Sequence, residues 1–145
     1  MVRRLSFIGR VALADRPRTS ILPDKNVVLV VDDDPGVLVG VKRLLRTNGY
    51  ESLLFSSAKA FENHVDFEDA LCVVMDINLK PGSGIELING LKAAGTAVPV
   101  IYMTGNDNPA VRKTALASGC IAFLTKPFDA RELIEPLHRA AAGLA

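Results

Sequence analysis

Asp32, Asp33 and Asp34 close the apolar run 27–31, and Asp76 closes another at 71–75, with Asn78 two residues on. Thr104 closes a third run at 98–103, and Lys126-Pro127 comes just after a fourth at 121–124. Adjacent aspartates after a strand are commonly turn or cap residues, and Asp34 ahead of Pro35 is explained in that way. The other acids are not. In an open parallel α/β sheet, ligands bind beyond the carboxyl ends of the strands, which would bring Asp32, Asp33 and Asp76 into one pocket. Three carboxylates held together repel, and at least one has its pKa raised unless a cation intervenes. Mg2+ answers that need, taking one or two carboxylates together with waters and phosphate oxygens. The Lys126 amine and the Thr104 hydroxyl suit phosphate oxygens. These are the parts of a phosphoryl-transfer site, in which an aspartate can be the nucleophile and become an acyl phosphate.

The elements that must position these residues alternate from Asn26 onward. Val27-Val28-Leu29-Val30-Val31 is almost wholly β-branched, as expected of a parallel strand covered on both faces. Val37, Leu38, Val41, Leu44 and Leu45 follow at helical spacing, and Asn48-Gly49 ends that helix. Tyr50 to Phe55 reads as a second strand, and Ser57 to about His64 as a short helix. Leu71 to Met75 repeats the signature of a central strand. Pro81 to Gly84 leads into a helix presenting Ile85, Leu87, Ile88 and Leu91, closed by Gly95. Val98 to Met103 gives a fourth strand, and Asn108-Pro109 caps a helix ending at Ser118-Gly119. Ile121 to Leu124 gives a fifth strand, and Asp129 caps a last helix to about Ala142. Five such units predict one doubly wound α/β domain over residues 26–143 with right-handed crossovers. Pro136 removes a backbone donor inside the last helix and should bend or shorten it.

At 145 residues the chain has room for one such domain. Its formal net charge of +1 gives no reason to expect nucleic acid or a membrane as a direct partner. The charge is uneven, because residues 1–25 carry six basic and two acidic side chains. Arg16-Pro17-Arg18 and Pro23 make that segment read as a basic extension or linker. No apolar run approaches the ~20 residues of a membrane span, and the N-terminus lacks a convincing signal-peptide cleavage site. The expectation is a cytoplasmic protein. Cys72 and Cys120 lack CxxC spacing and read as small buried hydrophobes. Gly82-Ser83-Gly84 invites a dinucleotide reading, but Leu87 stands where a third glycine is required. His64 and His138 read as structural histidines.

At these residues the chain closely resembles the response regulator receiver family, over about residues 26–143. The resemblance rests on Val-Val-Asp32-Asp33-Asp34, Met-Asp76-Ile-Asn78-Leu, Gly84 before a helix, Met-Thr104-Gly105 and Leu-Thr-Lys126-Pro127-Phe128. It implies a flavodoxin-like sheet of five strands in the order 2-1-3-4-5 with five helices. It also implies that Asp76 is the phosphoacceptor. Asp33, Asp76 and the backbone carbonyl of Asn78 would then bind Mg2+ directly, with Asp32 helping through water. Thr104 and Lys126 would contact the phosphoryl group. Thr104 would move towards it and draw the aromatic at position 123 inward; here that is Phe123, where the family often has Tyr. A cis Lys126–Pro127 bond is implied as well.

The implied function is a phosphorylation-dependent switch, not an enzyme acting on an outside substrate. A sensor histidine kinase or a phosphotransfer protein would supply the phosphoryl group. With no residues after 145 to form an output domain, a stand-alone receiver signalling through contacts with another protein is expected. A phosphorylation-dependent homodimer is a further expectation, against which Pro136 weighs if it deforms the face of the fourth helix, fifth strand and fifth helix. The chain departs from the family at Lys80, where proline is usual and Pro81 comes one residue late, and at Phe123. Two competing readings remain. One is a receiver fold that binds partners without being phosphorylated. The other is an aspartyl phosphatase of the haloacid dehalogenase type, which wants a second Asp where this chain has Asn78.

Overall fold

The computed structural model describes residues 26–64 and 67–144; the basic extension expected over residues 1–25 lies outside the described residues. The chain runs β1 (Val27–Val31), α1 (Pro35–Thr47), β2 (Glu51–Phe55) and α2 (Ala58–Glu62), then a 3-10 turn at Phe67–Asp69. It continues with β3 (Cys72–Asp76), α3 (Gly84–Ala93), β4 (Val100–Thr104), α4 (Pro109–Ala117), β5 (Ala122–Thr125) and α5 (Ala130–Ala141). All pairings are parallel, and the sheet order is β2-β1-β3-β4-β5. Among the described residues no helix is long and apolar enough to cross a membrane.

The apolar runs become strands because both faces of the sheet are covered. β3 and β4 are buried along their whole length, whereas the edge strands β2 and β5 leave residues exposed. Successive side chains point to opposite faces, so β1 divides between two cores. Val28 and Val30 join Leu38, Val41 and Leu45 of α1 and Leu133, Ile134 and Leu137 of α5. Leu29 and Val31 face the other way, with Phe61 of α2, Ile85 and Ile88 of α3 and Ala115 of α4. Cys72 lies fully within the first core and Cys120 is half-buried, both as free thiols. Burial pushes the Cys72 thiol far above its ordinary pKa.

The structure corrects two expectations. The second helix ends at Glu62, so His64 lies beyond it, with its ring against Phe55 and Phe67. The last helix is not cut short at Pro136 but runs on to Ala141. A proline inside a helix costs about 3 kcal/mol. Here its ring is buried beside Leu133, Ile134 and Leu137, and the reciprocal Asp129–Glu132 capping box secures the helix start. Because Pro136 faces the core, it gives no ground for doubting the outer surface of α5.

One close approach fixes the helix that follows the acidic strand. A Cβ added at Gly84 would lie 2.3 Å from the Asp76 carbonyl oxygen and 2.6 Å from Met75 Cγ. The Gly84 N–H also donates to the Ile77 carbonyl at 3.0 Å. Gly84→Ala should therefore lose about 1–3 kcal/mol of stability through overpacking against backbone, despite the ~1 kcal/mol that alanine normally gains over glycine in a helix. Urea denaturation checks this, and a variant as stable as the parent would contradict it. In a thiol-labelling time course, Cys120 should react in the folded protein and Cys72 only at the rate of unfolding.

Candidate functional site

Strand register gathers the polar residues. Val31 pairs with Met75, so continuing by one residue sets Asp32 beside Asp76. Asp76 pairs with Met103, and Thr104 comes next on β4. Thr104 in turn pairs with Thr125, which brings Lys126 to the same edge. Asp76 and Thr104 are the last residues of their strands rather than the first beyond them. All four thus stand at one carboxyl edge of the sheet.

The acids do converge. Carboxylate oxygens of Asp32, Asp33 and Asp76 lie within 4.8 Å of one another. Asp32 is 0% exposed and Asp76 3%, while Asp33 is open to solvent. Each buried carboxylate is compensated. Asp32 accepts the Asp34 N–H at 2.9 Å on one oxygen and the Lys126 ammonium at 2.7 Å on the other. Asp76 Oδ1 accepts the Asn78 N–H at 3.0 Å and lies 3.6 Å from Lys126 Nζ. The Asp33 carboxylate makes no hydrogen bond or ion pair to any described residue. Lys126 is held from behind, its own N–H donating to the Thr104 carbonyl at 2.8 Å, and its bond to Pro127 is cis.

These surroundings set the charge states. Burial raises the Asp76 pKa, and the Asp32 carboxylate raises it further; the Asn78 N–H and Lys126 oppose this, and Asp33 adds to the rise. For Lys126 burial is the largest influence and favours the neutral amine. The Asp32 hydrogen bond and the charges of Asp76 and Asp32 outweigh it, so the Lys126 pKa is raised and the ammonium persists.

Thr104 is fully buried and its hydroxyl is committed. It donates its hydrogen to Asn78 Oδ1 at 2.9 Å and accepts the Asn106 N–H at 3.0 Å. The Asn78 side chain, where an acidic residue would serve a phosphatase, is an amide that cannot deliver a proton. Phe123 is partly buried on β5, opposite Tyr102. The Arg112 guanidinium lies over its ring, 4.6 Å from the centroid, and pairs with Asp107 at 2.6 Å. Sequence reasoning missed Arg112 and Asp107, for no spacing rule connects a loop acid, a helix arginine and an aromatic on the next strand. His138 is tied to Tyr50, Nδ1 to hydroxyl at 2.6 Å, and neither histidine belongs to the site.

A buried carboxylate beside an exposed one, with a lysine and a hydroxyl at the rim, can hold a divalent cation and receive an electrophilic phosphorus. Comparison with known proteins points the same way. A family profile for the response regulator receiver domain matches residues 28–138. The chain is 33% identical over 120 residues to the response regulator protein TodT of Pseudomonas putida, covering 83% of this chain and 52% of that protein. It thus spans about half the length of the curated relatives it matches. The solved structure of the response regulator StyR is 36% identical, with a TM-score of 0.72, over 81% of this chain and 60% of that one. A receiver domain protein from Methanospirillum hungatei aligns at 25% identity with a TM-score of 0.71, over 83% of this chain and 97% of its own. On a parallel sheet of this order with this acidic edge, the profile match shows that the chain belongs to the response regulator receiver domain family.

Proposed function

We propose that this receiver domain is a phosphorylation switch of a two-component phosphorelay, with Asp76 as phosphoacceptor and Mg2+ as cofactor. A sensor histidine kinase or a phosphotransfer protein supplies the phosphoryl group. The signal leaves through protein–protein contacts in the cytoplasm, where the free thiols of Cys72 and Cys120 suit a reducing compartment. The chain acts on no outside substrate; it assists its own phosphorylation and dephosphorylation. The observation that carries this reading is the convergence of three carboxylates within 4.8 Å, with Lys126 on two of them.

The donor set suits a hard cation, being all oxygen and partly open to solvent at Asp33. Asp33, Asp76 and the Asn78 carbonyl would hold Mg2+ directly, and Asp32 through water. When bound, the ion neutralises the carboxylates and the phosphoryl oxygens. The chemistry of the residues themselves follows from their surroundings. An ionised Asp76 oxygen attacks phosphorus and forms an acyl phosphate. The breaking phosphorus–nitrogen bond leaves its electron pair on the donor's imidazole. Lys126 remains cationic and turns from the carboxylates to a phosphoryl oxygen. Thr104 has one hydrogen to give, so it must leave Asn78 to reach the same group. That displacement is the origin of the switch, and Phe123 moves inward as Thr104 moves.

Incubation with Mg2+ and a small phosphodonor should add about 80 Da, one phosphoryl on an aspartyl nucleophile, to the intact mass of the parent and none to Asp76→Asn. Identical spectra for the two proteins would end this reading. The acid cluster makes a separate prediction. Mg2+ should raise the melting temperature over protein in EDTA, the gain in unfolding free energy being roughly 1.4 kcal/mol at ten times the dissociation constant. Asp33→Asn in EDTA should also melt higher than the parent, because one repelling charge is gone. Equal melting temperatures in all three samples would mean that the acids do not strain one another.

A further inference from the structure

Beside the phosphoryl site lies a second polar cluster that the acceptor chemistry does not use. Arg112 Nη2 donates to Asp107 Oδ2 at 2.6 Å, and the Thr125 hydroxyl donates to the same oxygen at 3.1 Å. The Arg112 guanidinium also covers the Phe123 ring. Asp107 stands three residues beyond Thr104 in the loop to α4, and Thr125 immediately precedes Lys126. One carboxylate oxygen therefore ties together the stretches that carry Thr104, Phe123 and Lys126.

We infer that Arg112 is a positioning residue for the switch, holding Phe123 half-buried beneath its guanidinium and setting how readily Asp76 accepts and keeps a phosphoryl group. The inference rests on the phosphoacceptor reading above. A phenylalanine has no hydroxyl with which to hydrogen-bond at the surface, so nothing polar on the ring itself can fix it there. An arginine stacked on its face supplies that restraint by cation–π attraction and packing. The Asp107 carboxylate orients the guanidinium, and Arg112 in return holds the Asp107 pKa below its ordinary value, with Thr125 contributing.

The clamp is loaded in the direction that opposes phosphorylation. When the Thr104 side chain is displaced towards a phosphoryl oxygen, its hydroxyl oxygen is drawn away from the Asn106 N–H that it accepts at 3.0 Å. Asp107 is the next residue along, so the loop that carries the Arg112 partner shifts with it. Phe123 then leaves the guanidinium as it moves inward. Each step gives up a contact that the chain makes here without a phosphoryl group. A ligand or substitution that favours one of two states shifts their populations by its differential contact energy alone. Removing Arg112 should therefore strengthen phosphoryl binding without touching the acidic pocket.

Beryllofluoride with Mg2+, a non-hydrolysed stand-in for the phosphoryl group, separates this effect from acyl-phosphate lifetime. Its half-saturating concentration is measured by fluorine NMR for the parent, Arg112→Leu, Phe123→Leu and the double variant. Arg112→Leu should bind roughly two- to fivefold more tightly than the parent, the equivalent of one exposed cation–π contact. In the Phe123→Leu background the same change should have little effect, because there is no ring to restrain. Asp107→Asn, which frees the guanidinium, should tighten binding in the same direction. Equal tightening in both backgrounds, or none in either, overturns the clamp while leaving Asp76 as acceptor. Absence of saturable binding in every protein, the parent included, removes the acceptor reading and the clamp with it.

Discussion

Negative charge crowded at one edge of the sheet is the constraint to which the rest of this molecule is arranged. Asp32 and Asp76 are buried side by side, and Asp33 is close to both. A buried carboxylate is tolerable only when paired and hydrogen-bonded. The fold provides two backbone N–H groups, from Asp34 and Asn78, and one ammonium, from Lys126. With all three acids ionised, one ammonium still leaves an excess of two negative charges, which is the charge of one divalent cation. Lys126 is thus a resident counterion that is insufficient by itself. Its contact with Asp76, at 3.6 Å, is the longer of its two, so under the proposed phosphotransfer it is the one that would give way.

The backbone makes that crowding possible before any side chain contributes. A parallel sheet sets the ends of neighbouring strands at one edge, and the registers of β1 on β3 and of β4 on β5 align Asp32 with Asp76 and Thr104 with Thr125. A slip of one residue would send each of these side chains to the opposite face. The two apolar cores prevent the slip. Val28 and Val30 belong to one, Leu29 and Val31 to the other, and exchanging them would put side chains of the wrong shape and volume into two close-packed cores. Gly84 completes the arrangement, for only a residue without a Cβ lets α3 begin against the Asp76 carbonyl. Stability in the cores is therefore what holds repelling charges in place.

Much of this was legible in the sequence because its causes are local. Apolar runs, proline-marked helix starts at Pro35 and Pro109, and glycines after helices fix the element order, and the polar residues that end the runs mark the site. Boundaries slipped by a residue or two, as at β4, which starts at Val100 and not Val98. Pro136 misled because its local cost is plain in the sequence, whereas its burial among Leu133, Ile134 and Leu137 is a tertiary fact. The partners of Thr104 and Phe123 were hidden for the same reason. The Thr104–Asn78 bond joins residues 26 apart, and Arg112 meets Phe123 only when α4 packs over β5. Polar contacts across elements carry no periodicity, so no pattern in the chain announces them.

These hidden contacts are the ones that a switch of the proposed kind would have to exchange. A net hydrogen bond contributes about 0.5–1.5 kcal/mol, and an exposed cation–π contact about 0.5–1 kcal/mol. Set against the cores, such contacts are small, so exchanging them leaves the fold intact. Set against a two-state equilibrium, each is worth a several-fold change in population. Thr104 is poised between these scales: its backbone is locked in a central strand, while its single hydroxyl hydrogen is lent to the exposed Asn78 side chain. Releasing that hydrogen leaves Asn78 to be satisfied by water, so the exchange costs little. A buried acceptor in place of Asn78 would lose its only partner and pin the hydroxyl. The solvent-facing position of Asn78 leaves the Thr104 contact replaceable by water, and Asn106 and Asp107 join the same loop to Arg112 and Phe123 at the surface, the route along which the proposed change would travel.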